Sequence, residues 1–346
     1  MNNANRNIHI VIDGQFGSTG KGLLSGYLAN EKNIDTICTA WAANAGHTFI
    51  DKNGRKFIHT MLANGIVGKN IKTVLLGAGS IIDPDNLLKE YLQCEDLLKG
   101  VTIAIHPHAA IISQHHRDVE DVSMVAIGST KKGVGEAAIQ RIQRNPMDMN
   151  VASVCEHEFI KYHVVTAERY QQLLNDSENI LVEGAQGYSL SMYHGFYPYT
   201  TSRDVSTHQV LADCCIPYGF GNIEVYGCFR TYPIRVSNRY NDDGKMVGYS
   251  GDTYPDSYEI SWSDIGQPIE LTTVTKLPRR IFTWSDTQYL EAVRICGINH
   301  IFVNFMNYLD DEAGAQFLDR IKKLNPGINI TYLGYGPTEN DVRKNI

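Results

Sequence analysis

Residues Ile8–Leu24 read IHIVIDGQFGSTGKGLL. Ile8, Ile10, Val11 and Ile12 form a short β-branched run, the pattern of a buried strand. Gly14, Gly17, Gly20 and Gly22 follow, set around Ser18, Thr19 and Lys21, and from Leu23 the pattern turns helical through Leu24, Tyr27 and Leu28. A strand, a glycine-rich turn carrying a lysine and a helix start together suit phosphate. Glycines let backbone N–H groups crowd an anion, the helix N-terminus adds partial positive charge, and lysine adds a full one. The spacing is not that of a Walker A loop, because Gln15 occupies the position of its first glycine and Gly22 that of its metal-binding hydroxyl. By itself the loop fits either a phosphate cradle or an ordinary tight turn between strand and helix.

The 346 residues are enough for one large α/β domain or two smaller ones. Hydrophobic residues make up 43% and charged residues 20%, an ordinary globular balance. A net charge of −7 argues against a dedicated nucleic-acid binder, which neutralises phosphates with a basic surface. No apolar run is long enough to span a membrane, and the polar start Met1–Asn7 lacks the apolar core of a signal peptide. The seven cysteines are scattered without a C-x-x-C pair, so they read as reduced thiols of a cytoplasmic protein rather than a disulfide framework or a zinc site.

Along the chain, TAWAANAGHT at Thr39–Thr48 is small and polar, and His47 within it is open to a structural or a ligand-contacting role. Strands are expected at Lys72–Leu76, Val101–Ile105, Asn179–Val182, Ile223–Val236, His300–Phe305 and Ile328–Leu333, with helices from Asp85, near Asp286–Cys296 and at Glu312–Leu324. His106, His108, His115 and His116 invite a metal reading but lack a clear set of further ligands, so they read as loop or surface residues. Ile127–Glu136 (IGSTKKGVGE) leads into a helical stretch bearing Arg141 and Arg144 one turn apart, either a solvated face or an anion contact reaching out of its own subunit. Glu183–Gly187 (EGAQG) and Tyr197–Asp204 (YPYTTSRD) do not resemble core filler, and ligands in α/β sheets bind beyond the carboxyl ends of strands. Thr272–Trp284 (TTVTKLPRRIFTW) joins hydroxyls to paired arginines, a combination suited to carboxylate or phosphate. Asn238–Ser263 is a polar, glycine- and tyrosine-rich candidate insertion. These segments predict one α/β domain over residues 1–346, with a central, mostly parallel sheet and inserted subdomains.

In this order the motifs resemble the adenylosuccinate synthetase family. That family's glycine loop, GQWGDEGKG, stands here as GQFGSTGKG at Gly14–Gly22; NAGHT is intact at Asn44–Thr48 and EGAQG at Glu183–Gly187. HGxYPYxTS follows at His194–Ser202, an altered aspartate loop at Thr273–Arg280 and a closing Gly336-Pro337. The resemblance implies a P-loop-related fold and a ligase that phosphorylates the 6-oxygen of a purine monophosphate and then lets aspartate displace the phosphate. It implies Mg²⁺ held at Ser18 and the Gly46 carbonyl, and catalytic roles for Ser18, Lys21, His47 and Gln186. Donor phosphates and base would meet Ser18, Thr19, Gly20, Lys21, Gly22, Gly46, His47, Thr48, Asn307, Gly336 and Pro337. The acceptor nucleotide would meet Ser18, Asn44, Ala45, Thr130, Gln186, Thr201, Arg279 and Arg144, the last crossing from a homodimer partner. Aspartate would meet Thr273, Val274, Thr275, Arg279 and Arg280.

The departures from the family pattern carry the substrate expectation. The family has an aspartate where Ser18 stands, and that carboxylate takes the N1 proton of inosine monophosphate; a hydroxyl is a far poorer base. A guanine base brings a 2-amino group beside N1, for which Ser18 supplies room and an acceptor. This resembles bacteriophage members of the family that act on deoxyguanylate to make the precursor of 2-aminoadenine, and a phage-encoded chain would work in the host cytoplasm. Near Val303–Asp310 the family reads close to TKLDVLD; here Phe305 replaces its lysine and Asn307 its guanine-gripping aspartate, so ATP or dATP is expected in place of GTP. The expected substrates are dGMP, L-aspartate and ATP. A conventional enzyme using IMP and GTP, and a nucleotide-binding protein without catalysis, are the alternatives.

Overall fold

The computed structural model describes residues 6–124, 130–272 and 276–345. Its frame is a nine-stranded sheet: β1 (Asn7–Asp13), β2 (Thr36–Thr39), β3 (Thr73–Leu76), β4 (Thr102–Ile105), β5 (Asn179–Glu183), β6 (Asn222–Arg230), β7 (His300–Asn304), β8 (Asn329–Gly334) and β9 (Val342–Lys344). The spatial order is β9-β8-β7-β6-β1-β5-β2-β3-β4, and every neighbouring pair is parallel except β8–β9. The fold is therefore α/β with a mostly parallel sheet, as the alternation of strand and helix patterns predicts.

β1 sits centrally because it is apolar on both faces. Ile8, Ile10 and Ile12 join the core on one side of the sheet and Val11 the core on the other, all at most 1% exposed. Each such side chain stabilises the fold by about 1.5–3 kcal/mol relative to exposure. The strand order changes direction about β1: the chain runs outward through β2, β3 and β4, returns to fill the slot at β5, and then builds the other wing from β6. A crevice at the carboxyl ends of the central strands follows from such a reversal. The helix Lys21–Glu31 begins directly from the glycine loop.

Several expectations change. The strand expected over Ile223–Val236 ends at Arg230; Ile234–Arg235 belongs to a separate small antiparallel sheet with Arg280–Phe282 and Glu259–Ile260. The segment 238–263 is thus tied into that sheet through Glu259–Ile260 and adds a hairpin, Arg239–Tyr240 with Met246–Gly248. The helix before Arg144 ends at Gln143, and Arg144 caps it in a left-handed conformation (φ 52°), so Arg141 and Arg144 do not share a helix face. His108 and His115 are exposed and His106, though buried, lies in the loop after β4, as the loop-or-surface reading allows; His116, buried within a helix, departs from it. Nδ1 of His116 accepts from Ser113 N at 3.0 Å and its Nε2 meets Gln140 Oε1 at 2.5 Å, which makes it a helix-capping residue. No cluster of three metal-ligating side chains occurs among the described residues. No helix there is long and apolar enough to cross a membrane.

Candidate active site

A cavity of about 990 Å³ opens at the carboxyl edge of the sheet, at the upper end of small-molecule site volumes. The glycine loop forms its floor, and the loop is organised from beneath by Asp13, the last residue of β1. The Asp13 carboxylate is buried and accepts from Gln15 N at 2.8 Å, Gly17 N at 3.2 Å and the Thr19 hydroxyl at 2.6 Å. It also accepts from Lys21 Nζ at 3.2 Å, while the same ammonium donates to the Gln186 carbonyl at 2.9 Å. Lys21 is therefore held by two fixed acceptors at the cavity wall. Gly20 has φ 99°, and a Cβ there would lie 2.2 Å from Asn304 Nδ2, so only glycine admits this backbone beside β7.

His47 enters from the start of a short hairpin, His47–Ile50 with Lys56–His59. Its Nδ1 lies 2.8 Å from Glu183 Oε1, and the other oxygen of Glu183 accepts from Asn64 N at 2.8 Å. A carboxylate only accepts, so Nδ1 carries the proton and Nε2 is left free to act on a ligand. Burial pulls the imidazole below its ordinary value, opposed chiefly by the hydrogen bond to Glu183. Trp41 packs on the ring at 4.0 Å between centroids and donates its own indole N–H to the Glu183 carbonyl at 2.6 Å. The result is an oriented imidazole, its Nδ1 fixed on the buried Glu183 carboxyl group and its Nε2 turned to the cavity.

Among the described residues, three non-glycine residues at the cavity adopt left-handed backbone: Ser18 (φ 56°), Gln186 (φ 63°) and Phe305 (φ 61°). Such conformations are uncommon and cluster where a ligand must be met. Each follows the carboxyl end of a central strand, β1, β5 or β7 respectively. Phe305 is backed by the fully buried Arg230, whose guanidinium carbon lies 3.9 Å from the ring centroid. Arg230 also pairs with Glu270 at 3.1 Å, and Gln15 exchanges side-chain hydrogen bonds of 3.0 and 3.1 Å with its backbone, tying β6 to the loop after β1.

A phosphate-type loop, an oriented histidine and a nucleotide-sized cleft in this topology are the architecture that the motif order implied. The adenylosuccinate synthetase family model matches residues 10–164 and 147–315. The chain belongs to that family.

Within the family, it is 46% identical to the N6-succino-2-amino-2'-deoxyadenylate synthase of Salmonella phage PMBT28, over 98% of each chain. The enzyme of the same name from Acinetobacter phage SH-Ab 15497 is 43% identical, over 94% of this chain and 90% of the phage protein. The solved succinoaminodeoxyadenylate synthetase of cyanophage S-2L, bound to dGMP and dATP as an energy donor, superposes with a TM-score of 0.90 at 41% identity, covering 98% of this chain and 95% of that one. The fully ligated adenylosuccinate synthetase of Plasmodium falciparum shares the fold, with a TM-score of 0.79 at 19% identity over 98% and 100% of the two chains. As a family member the protein is a ligase that forms a carbon–nitrogen bond.

Most of the residues expected at the site line this one cavity: Ser18, Thr19, Gly20, Lys21, Gly22, Asn44, Ala45, Gly46, His47, Thr48, Thr130, Gln186, Thr201, Arg279, Asn307, Gly336 and Pro337. Arg144 is exposed and outside the cavity of its own chain, with its Nε on the Ile142 carbonyl. Arg280 is also outside it. Its guanidinium is taken up by Glu259, at 2.7 Å, and by Ser250 and Gly251, so it braces the 238–263 segment. Thr273, Val274 and Thr275 lie outside the described residues.

Asp13, Arg230 and Glu270 were not singled out in the sequence. Asp13 had a visible signal, an acid ending a buried strand just before a glycine loop, whereas Arg230 and Glu270 sit in unremarkable local patterns. The 238–263 segment contributes Tyr249 and Ser250 to the cavity wall, and its Tyr254 packs near Phe16 at 6.2 Å between centroids.

The donor set suits Mg²⁺ in a nucleotide complex. That ion usually takes one or two protein oxygens and completes its shell with phosphate and water. The Ser18 hydroxyl and the Gly46 carbonyl both belong to residues of the cavity wall, beside the phosphate-type loop.

Proposed function

We propose that this protein joins L-aspartate to C6 of dGMP with hydrolysis of ATP or dATP, giving 2-amino-2'-deoxy-N6-succinyladenylate, ADP or dADP, and phosphate. The observation that carries the reading is Ser18: at the tip of the glycine loop a small hydroxyl lines the cavity where the family pattern has a carboxylate. A guanine edge presents N1–H and a 2-amino group together, and a hydroxyl leaves room for the amino group and accepts a hydrogen bond from either donor. The phage relatives named for this product support the same substrate.

In the first step the purine 6-oxygen attacks the γ-phosphorus, the nucleoside diphosphate leaves and the N1 proton passes to water. In the second the aspartate amine adds at C6, phosphate departs and the amine gives up a proton to the departing phosphate. Catalysis of this kind is mostly positioning and charge stabilisation. Lys21 and the loop N–H groups that Asp13 does not take up hold phosphate oxygens. His47 Nε2 meets the transferring phosphoryl group, with Glu183 stabilising positive charge on the ring. Gln186 positions the 6-oxo edge. Mg²⁺ at Ser18 and Gly46 would neutralise phosphate charge. Thr130 and Thr201 take the acceptor's 5′-phosphate together with Arg144 from the second subunit of a homodimer. Asn307, with Phe305 and Gly336-Pro337, receives the adenine of the donor, and Arg279 and the 273–275 loop receive aspartate. A phage-encoded enzyme of this kind works in the host cytoplasm.

The test is phosphate release from the purified protein with aspartate, Mg²⁺ and ATP, comparing dGMP with IMP. Turnover with dGMP and none with IMP is expected, and Ser18→Asp is expected to gain IMP activity. Turnover with IMP alone would overturn the substrate assignment.

A further inference from the structure

Arg279 and Glu270 are held together independently of their side chains: Arg279 N donates to the Glu270 carbonyl at 2.8 Å, and Leu271 bridges to Pro278 beside them. Across this fixed pair, Glu270 Oε1 lies 3.2 Å from Arg279 Nε, while its Oε2 accepts from Arg230 Nη2 at 3.1 Å. The two contacts differ in quality. The Arg230 contact is a hydrogen bond, whereas Arg279 Nε makes no hydrogen bond among the described residues despite the short approach. Arg230 is fully buried and the Arg279 side chain is 11% exposed, whereas the Glu270 side chain is 29% exposed. Glu270 and Arg279 both line the cavity. Two largely buried cations thus share one carboxylate, and desolvated charge without full compensation is costly. The cluster is one anion short, and its poorly aligned cation faces the cleft.

We propose that Glu270 is a placeholder for a substrate carboxylate: it holds Arg279 in the empty site and yields that guanidinium to the carboxylate of the incoming amino acid, while keeping its bond to Arg230. Glu270 is then a positioning residue that sets the affinity for aspartate. The incoming carboxylate supplies the missing anion and the bidentate geometry that Glu270 does not provide. This rests on the reading that Arg279 receives aspartate.

The experiment uses Glu270→Gln in the full-length enzyme, with the KM of each substrate and inhibition by succinate, a dicarboxylate without an amine. With the competing charge gone, the aspartate KM and the succinate inhibition constant are both expected to fall about three- to tenfold, with the KM values for dGMP and ATP unmoved. A merely structural role would raise all KM values or lower kcat alone. Because Glu270→Gln strips Arg230 of its carboxylate, the double variant Arg230→Met/Glu270→Gln, which removes both charges, is measured beside it and is expected to show the same fall. An aspartate KM unchanged or raised in both variants overturns the proposal, and a raised aspartate KM with unchanged succinate inhibition would assign Glu270 to the substrate ammonium instead. Arg279→Lys separates the two layers. A rise of tenfold or more in its aspartate KM upholds the aspartate site whatever Glu270 does, and no rise overturns both.

Discussion

Replacing Glu183 by Gln tests the His47 dyad with almost no change of shape. In the native site two donors face the two carboxylate oxygens: His47 Nδ1 at 2.8 Å and Asn64 N at 2.8 Å. Glutamine has one oxygen for these two donors. The backbone N–H of Asn64 cannot change its character, so the amide oxygen stays there and the NH₂ turns toward Nδ1. That forces the imidazole into the other tautomer, with Nδ1 accepting and the proton on Nε2. A charge-assisted hydrogen bond of about 1.5–3 kcal/mol is exchanged for a neutral one of about 0.5–1.5 kcal/mol. The lost stabilisation of a positively charged His47 is therefore about 1–2 kcal/mol, equivalent to a roughly 5- to 30-fold fall in kcat. The assay is phosphate release at saturating aspartate, dGMP and ATP, with KM for dGMP expected to hold because the carboxyl group is buried behind the histidine. Circular dichroism and thermal melting establish that the variant is folded. A folded Glu183→Gln protein with kcat within twofold of the parent would refute the role assigned to the dyad.

Asn307→Asp is expected to move donor preference from ATP toward GTP by about 10- to 100-fold in the ratio of kcat/KM values, because a carboxylate accepts from the guanine N1–H and 2-amino donors; competition between the two donors measures it. Acid is expected to destabilise the fold. Burial holds His59 at about 4, below the unfolded value near 6.5, so its contribution is present above pH 6.5 and is lost as pH falls toward 4. Between pH 7 and 5 this one histidine costs about 2 kcal/mol, read as a lower denaturant midpoint, with His47 and His106 shifted in the same direction. If Arg144 serves the opposite subunit, Arg144→Ala and Lys21→Ala proteins, each inactive alone, are expected to recover about a quarter of parental activity when co-folded in equal amounts, since half the dimers then hold one intact site. Absence of recovery would return Arg144 to a solvent-exposed cap.

The sequence alone determined the central strand, the loop after it and the helix that follows, because these depend on local rules: β-branched runs, glycines that permit unusual backbone, and a lysine at a helix start. It also carried the family, through ordered motifs, and the substrate departure at Ser18, which is a change of residue type. Tertiary structure decided what those residues can do. His47 and Glu183 are 136 positions apart, and Gln15 and Arg230 are 215 apart, so no local pattern announces either pair. Arg279 and Arg280 look equivalent in the chain, yet Arg280 begins a strand and Arg279 stands just before it, and the two side chains part. One meets Glu270 at the cavity and the other Glu259 outside it. His116 looks like a surface residue and is buried because Gln140, on the next helix, closes over its ring. Local propensity specifies elements, but burial and charge pairing depend on which distant segments the sheet order brings to one edge, and that order is a property of the whole chain.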